Sequence, residues 1–150
     1  METISIRPLD TSDLIDAADL LVLLNPETPA AVIVERLDTL LADHSHYQLI
    51  GAFAAGRLVG VAGAWIATKI WCGRYLEIDN LVVDPNQRST GIGSLLIQHL
   101  DNLARERDCK LIVLDSYTAN RASHRLYHRL GFEIWGFHFV KPIGDWQGTE

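Results

Sequence analysis

The sequence predicts an α/β chain of the α+β type: a mixed central sheet of six to seven strands with four flanking helices, in the order βααβββαβαβ(β). Three observations predict it. Apolar residues switch several times between strand-like alternation and helical spacing, without the regular βαβ repeat of a doubly wound sheet. A glycine loop, Gln87-Arg88-Ser89-Thr90-Gly91-Ile92-Gly93, joins a strand-like run to a helical one. At 150 residues, with 48% hydrophobic and 21% charged residues, the chain can bury a core without staples, and reads as one domain over residues 1–150.

Residues 3–7 alternate and read as a first strand ended by Pro8. Thr11 or Ser12 can cap a helix from about Asp13, with Leu14, Ala17, Ala18, Leu21 and Val22 on one face. Residues 25–29 break it, and a second helix follows with Ile33, Leu37, Leu40 and Leu41 as its stripe. Residues 47–54 and 58–68 form a hairpin through a tight Ala55-Gly56 turn. Residues 75–83 are the next strand. Strict alternation puts Ile78 and Val82 on one face, and Glu77, Asp79, Leu81 and Val83 on the other. A helix over residues 92–106 buries Ile92, Leu95, Leu96, Leu103 and Ala104, and residues 111–114 make a short apolar strand. Asn120 caps a helix over 121–130 that Gly131 closes, and residues 132–135 and 137–140 end the chain as one bent strand or two.

A net charge of −6 argues against a general nucleic-acid partner, which needs a broad basic surface. The longest apolar stretch, residues 14–24, is interrupted by Asp16 and Asp19, so no membrane span is expected. No secretory leader is visible at the N-terminus, and a cytoplasmic location is expected. Cys72 and Cys109 suit unpaired thiols of a reducing compartment. His44 and His46 have no third ligand in a recognisable pattern, so no metal site is expected.

The glycine loop carries the functional signal. Two glycines one residue apart let the backbone approach a ligand closely. The helix start beyond them offers unpaired N–H groups and a positive dipole end, a cradle for phosphate. A dinucleotide is a poor fit, because no G-x-G-x-x-G lies near the N-terminus, and the loop lacks the Gly-Lys-Ser/Thr of a nucleotide-binding P-loop.

The element order, the Gln-Arg-x-x-Gly-x-Gly loop, Ile6-Arg7-Pro8-Leu9, Leu81-Val82-Val83-Asp84-Pro85 and the block Asn120-x-x-Ser123-x-x-Leu126-Tyr127-x-x-Leu130-Gly131-Phe132 resemble the GNAT superfamily of acyl-CoA-dependent N-acetyltransferases over nearly the whole chain. The resemblance implies acetyl-CoA as co-substrate. Gln87, Arg88, Ser89, Thr90, Gly91, Ile92, Gly93 and Ser94 would hold the pyrophosphate, chiefly through backbone N–H groups. The backbone of Leu81, Val82 and Val83 would pair with the pantetheine amides where this strand splays from the next. Asn120 would bond the pantetheine arm, and Tyr127 would lie near the sulfur.

Amine acetylation needs a base for the ammonium, a donor for the oxyanion and an acid for the leaving thiolate. Counting back from the glycines, Glu77 occupies the position of the family's carboxylate base. Asp79 points to the same face and is the second candidate, with water the third. Two such carboxylates are expected to raise each other's pKa. Tyr127 is the acid candidate, since a phenol near ~10 lies close to a thiol. Arg121 and Arg125, at i,i+4, either meet the 3′-phosphate of CoA or form a solvated face. Trp65, Trp71, Tyr75, Trp135, Phe137 and His138 are the aromatic residues available to an acceptor.

The leading reading is thus an N-acetyltransferase that moves acetyl from acetyl-CoA to a primary amine by direct attack in a ternary complex. The absence of a long charged extension points to a small-molecule acceptor. The alternatives are a protein amino-group acetyltransferase and a non-catalytic acyl-CoA-binding regulatory module. The apolar edge at residues 137–140, together with family habit, points to a homodimer.

Overall fold

The computed structural model describes residues 2–87 and 90–146 and separates into two compact units, residues 1–114 and 115–150. The expected loop residues Arg88 and Ser89 lie outside the described residues. Among the described residues, no helix is long and apolar enough to cross a membrane.

The first unit is a five-stranded sheet in the order β1-β2-β3-β4-β5: β1 (Ile4–Pro8), β2 (Tyr47–Ala54), β3 (Arg57–Lys69), β4 (Gly73–Val83) and β5 (Leu111–Leu114). The first four strands are antiparallel neighbours, and β5 joins β4 in parallel. Pro8 lies inside β1, tolerated because β1 is the sheet edge. The β2–β3 turn is Ala55-Gly56, with φ of 49° and 77°, the two positive values a tight hairpin requires.

Three helices belong to this unit: α1 (Leu14–Leu21), α2 (Ala30–Asp43) and α3 (Ile92–Glu106). Neither Thr11 nor Ser12 caps α1. A 3-10 turn, Thr11–Asp13, precedes it, and Asp10 caps that turn in a capping box with Asp13. Arg7 holds the same Asp13 through two hydrogen bonds of 2.9 and 3.0 Å, fixing the strand to the helix entry. Leu14, Ala17, Ala18, Leu20 and Leu21 of α1, with Ile33 and Leu37 of α2, bury one sheet face made of Tyr47, Leu49, Val61 and Val82. Leu40 and Leu41 only flank this core.

The opposite face belongs to α3. A Cβ on Gly60 would meet Ile92 and Leu96 at 3.1 Å, so the glycine lets this helix lie close on the sheet. The buried stripe of α3 is Ile92, Leu96, Ile97, Leu100 and Ala104, whereas Leu95, expected inside, is exposed.

The second unit holds α4 (Arg121–Arg129), closed as expected by Gly131 at φ 93°. Gly131 N donates to His128 O at 3.1 Å and Phe132 N to Tyr127 O at 2.9 Å, the paired bonds of a Schellman ending. The expected terminal strands at 132–135 and 137–140 are absent among the described residues, so the sheet has five strands rather than six or seven. Phe137 is 88% and Phe139 93% exposed. Strand preference is largely a preference for a half-buried pleated surface, and a segment whose residues 133–140 are all exposed has no such surface to fix its register.

Candidate active site

Strand β4 departs from strict alternation. Val61 pairs with Val82, but Gly63, two residues on, pairs with Asp79, so β4 carries one extra residue in between. Asn80 takes it up at φ 56°. This bulge turns Val82 onto the α1–α2 face, the face of Asp79 and Glu77, and overturns the expected grouping of Val82 with Ile78.

The bulge coincides with the end of the β5 ladder. Tyr75, Leu76, Glu77 and Ile78 pair with Leu111, Ile112, Val113 and Leu114, and there β5 stops while β4 runs on to Val83. Among the described residues, residues 79–83 therefore have a strand partner only on the β3 side. A backbone edge without a strand, here that of Leu81, Val82 and Val83, can pair with an extended ligand that has amides of its own.

Beyond Val83 the chain is anchored before it turns. Asp84 N donates to Val59 O at 2.8 Å. The buried Asp84 carboxylate accepts from Asn86 N and from Arg57 Nη1, both at 2.9 Å, and these bonds, the backbone one foremost, hold it below the usual carboxylate range. Gln87 N donates to Asp84 O at 2.8 Å, and the Thr90 hydroxyl donates to Gln87 O. Gly91 then caps α3 at φ 85°, in a left-handed conformation. A Cβ there would meet no described residue within 4 Å. The cap has no side-chain hydrogen bond, and the first N–H groups of a helix lack intrahelical partners. A helix start whose first N–H groups lack intrahelical partners is the kind of site that suits a phosphate group.

The two carboxylates share a face, as expected. Glu77 is directly opposite Trp65, and Asp79 opposite Gly63. Asp79 is the first residue beyond the β5 ladder. Trp65 Nε1 donates to its Oδ2 at 3.4 Å. Trp65 packs on the Tyr47 ring, with centroids 4.8 Å apart, and meets the His44 ring edge at 5.3 Å. Tyr47 and the bulge at Asn80 are features that sequence reading missed. Burial, then the Asp79 charge, pushes the Tyr47 hydroxyl above its ordinary range.

In the second unit, Asn120 is the N-cap of α4, but its side chain makes no cap hydrogen bond, which leaves the amide available to a ligand. Tyr127 is half-buried in α4, its ring edge-on to Phe132 at 6.0 Å. Burial raises its pKa, and Ser123 opposes the shift. Both cysteines are half-buried and unpaired, and burial pushes the Cys109 thiol up, away from a nucleophile's range.

Comparison with known proteins bears on this arrangement. Residues 17–132 match the Acetyltransferase (GNAT) family. The chain belongs to that family. Membership makes it an acyltransferase with acetyl-CoA as co-substrate. Glucosamine 6-phosphate N-acetyltransferase of Trypanosoma brucei brucei is 37% identical over 79 residues, 51% of this chain and 52%, about half, of that protein. Aminoalkylphosphonate N-acetyltransferase of Salmonella typhimurium is 32% identical, over 69% of this chain and 67% of that one. A solved structure of aminoglycoside N-acetyltransferase AAC(6')-Iy, in complex with CoA, aligns at a TM-score of 0.84 and 21% identity over 95% of this chain and 96% of that one, a likeness of fold.

Proposed function

We propose that this member of the family acetylates the primary amine of a small molecule by direct attack within a ternary complex. One observation carries the reading: Asp79 stands at the first residue beyond the β5 ladder, at the start of the open edge that leads to the open end of α3. A thioester on that edge would have a carboxylate beside its carbonyl. The names of the relatives, for a sugar amine and an aminoalkyl compound, support a small acceptor.

In this reading Glu77 holds the incoming ammonium and Asp79 takes its proton, with Glu77 as the alternative base. The amine nitrogen attacks the thioester carbon, the oxyanion is met by backbone N–H groups near Val82 and Val83, and the carbon–sulfur bond breaks. Tyr127 gives its proton to the departing thiolate, and its raised pKa keeps that proton in place. Asn120 bonds the pantetheine arm, and residues 87–94 the pyrophosphate. The high thiol pKa of Cys109 supports direct transfer over an acyl-enzyme.

A thermal melt with excess acetyl-CoA tests the donor site. A ligand at a hundred times its Kd adds about 2.7 kcal/mol, roughly 5–10 °C of Tm in a domain of this size. The expected result is such a rise with acetyl-CoA and CoA, and none with NAD or ATP. No rise with either CoA species would overturn the reading.

A further inference from the structure

We propose that Lys69 and Tyr75 form an anion subsite beside the catalytic carboxylates, so that the preferred acceptor is an amine carrying a phosphate or phosphonate group. The inference deepens the amine-acetylation reading and rests on it.

The register carries the argument. Gly63 pairs with Asp79, Trp65 with Glu77, Ala67 with Tyr75 and Lys69 with Gly73, an unbroken ladder in which directly opposed residues share a face. Asp79, Glu77, Tyr75 and Lys69 therefore stand on the face that α1 and α2 cover farther along, in that order toward the hairpin tip. The β2 ladder ends at the Tyr47–Trp65 pair, so beyond it β3 has no strand on its β2 side among the described residues, while β5 still flanks β4 at Leu76 and Tyr75. Ala67, Thr68, Lys69 and Ile70 are exposed there, and a solute can reach them.

The Lys69 Nζ lies over the Tyr75 ring, 4.7 Å from the centroid, and Tyr75 is the residue of this face next to Glu77. Tyr75 and Glu77 are two residues apart, about 7 Å along a strand. One face thus presents two carboxylates and, about one such step away, an ammonium steadied on an aromatic ring. The complementary solute has a cation and an anion at that separation. Among the described residues Lys69 is in no ion pair. The nearby Arg74 pairs with Thr68, on the opposite face, and its guanidinium is engaged by Arg107 O at 2.9 Å. Lys69 is accordingly a cation that this face offers. A lysine binds phosphate as a compact point charge, a role that tolerates either a phosphate or a phosphonate head.

The test uses a matched pair of acceptors, glucosamine and glucosamine 6-phosphate, with the wild type, Lys69→Gln and Lys69→Arg. The wild type should have a KM about tenfold or more lower for the phosphorylated amine, the size of one charge-assisted contact. Lys69→Gln should abolish that difference with kcat for both amines unchanged, and Lys69→Arg should restore most of it. Equal KM values in the wild type, or an equal change for both amines in Lys69→Gln, would overturn the subsite while leaving acetyl transfer intact. If neither amine is acetylated, calorimetry of glucosamine 6-phosphate binding to the CoA-loaded protein decides. Binding that Lys69→Gln abolishes supports the subsite, and absent binding overturns it. Failure of the underlying reading shows separately, as no Tm response to acetyl-CoA.

Discussion

The indole Nε1 of Trp65 donates to Oδ2 of Asp79 at 3.4 Å, from β3 across to β4, at the bulge where the β5 ladder has just ended. The contact engages one carboxylate oxygen, and in the proposed mechanism the other takes the proton of the amine. Asp79→Asn should lower kcat by about 10²–10⁴, the usual range for a lost general base, with KM for acetyl-CoA unchanged. Glu77→Gln should mainly raise KM for the amine. Steady-state kinetics on both variants checks the assignment, and the reverse pattern would make Glu77 the base.

Burial raises the Tyr127 pKa from its ordinary value near ~10. In the proposed role as acid it would work only while protonated, so loss of activity from this group would fall at higher pH than for a free phenol. Tyr127→Phe should lower kcat by about 10²-fold or more and remove any basic limb due to this group. A pH profile of kcat, run at saturating acetyl-CoA and amine, is the check. An unchanged kcat at every pH would remove Tyr127 from the reaction.

Tyr47 and Gly63 are fitted to each other: a Cβ on Gly63 would collide with the Tyr47 hydroxyl oxygen. Gly63→Ala should therefore destabilise the fold by about 1–3 kcal/mol through overpacking. The same hydroxyl is buried with no hydrogen-bond partner among the described residues. Tyr47→Phe removes an unsatisfied polar atom while keeping the ring on Trp65, and should leave Tm unchanged or raised. Thermal melts of the two variants check both signs. A clear fall in Tm for Tyr47→Phe would mean that the hydroxyl has a stabilising partner.

Asp84 anchors the start of the glycine loop, and its pKa is depressed by Asn86 N and then by Arg57. A carboxylate with a depressed folded-state pKa stabilises fully above its unfolded value, near ~3.9, and the contribution is lost as pH falls through the lower folded value. The Tm difference between wild type and Asp84→Asn should accordingly be constant at neutral pH and shrink below about pH 4. A difference that grows with acid would contradict the assignment.

Much of the first unit was legible from pattern alone. The bounds of β2, α3 and β5 follow from hydrophobic period, and the turn at Ala55-Gly56 from its residues. Strict alternation failed on β4, because nothing in the order Asp79-Asn80-Leu81-Val82 announces a bulge except an asparagine that tolerates positive φ. The cap of the first turn was misread because Thr11 and Ser12 suit an N-cap by type, whereas the reciprocal bonds of Asp10 and Asp13 decide it. The terminal segment has a strand-like sequence, yet Trp135, Phe137 and Phe139 stay exposed. The paired carboxylates were legible through the two-residue strand period. The fit of Tyr47 to Gly63 was not, since the two residues meet only once the register of β2 and β3 is known.

Direct attack within a ternary complex is tested most directly by initial rates of CoA release with acetyl-CoA and amine both varied. Double-reciprocal plots should intersect, and release should depend on the amine. Parallel lines, or acetyl retained on the protein after acetyl-CoA alone, would contradict the account and return a covalent intermediate to the mechanism.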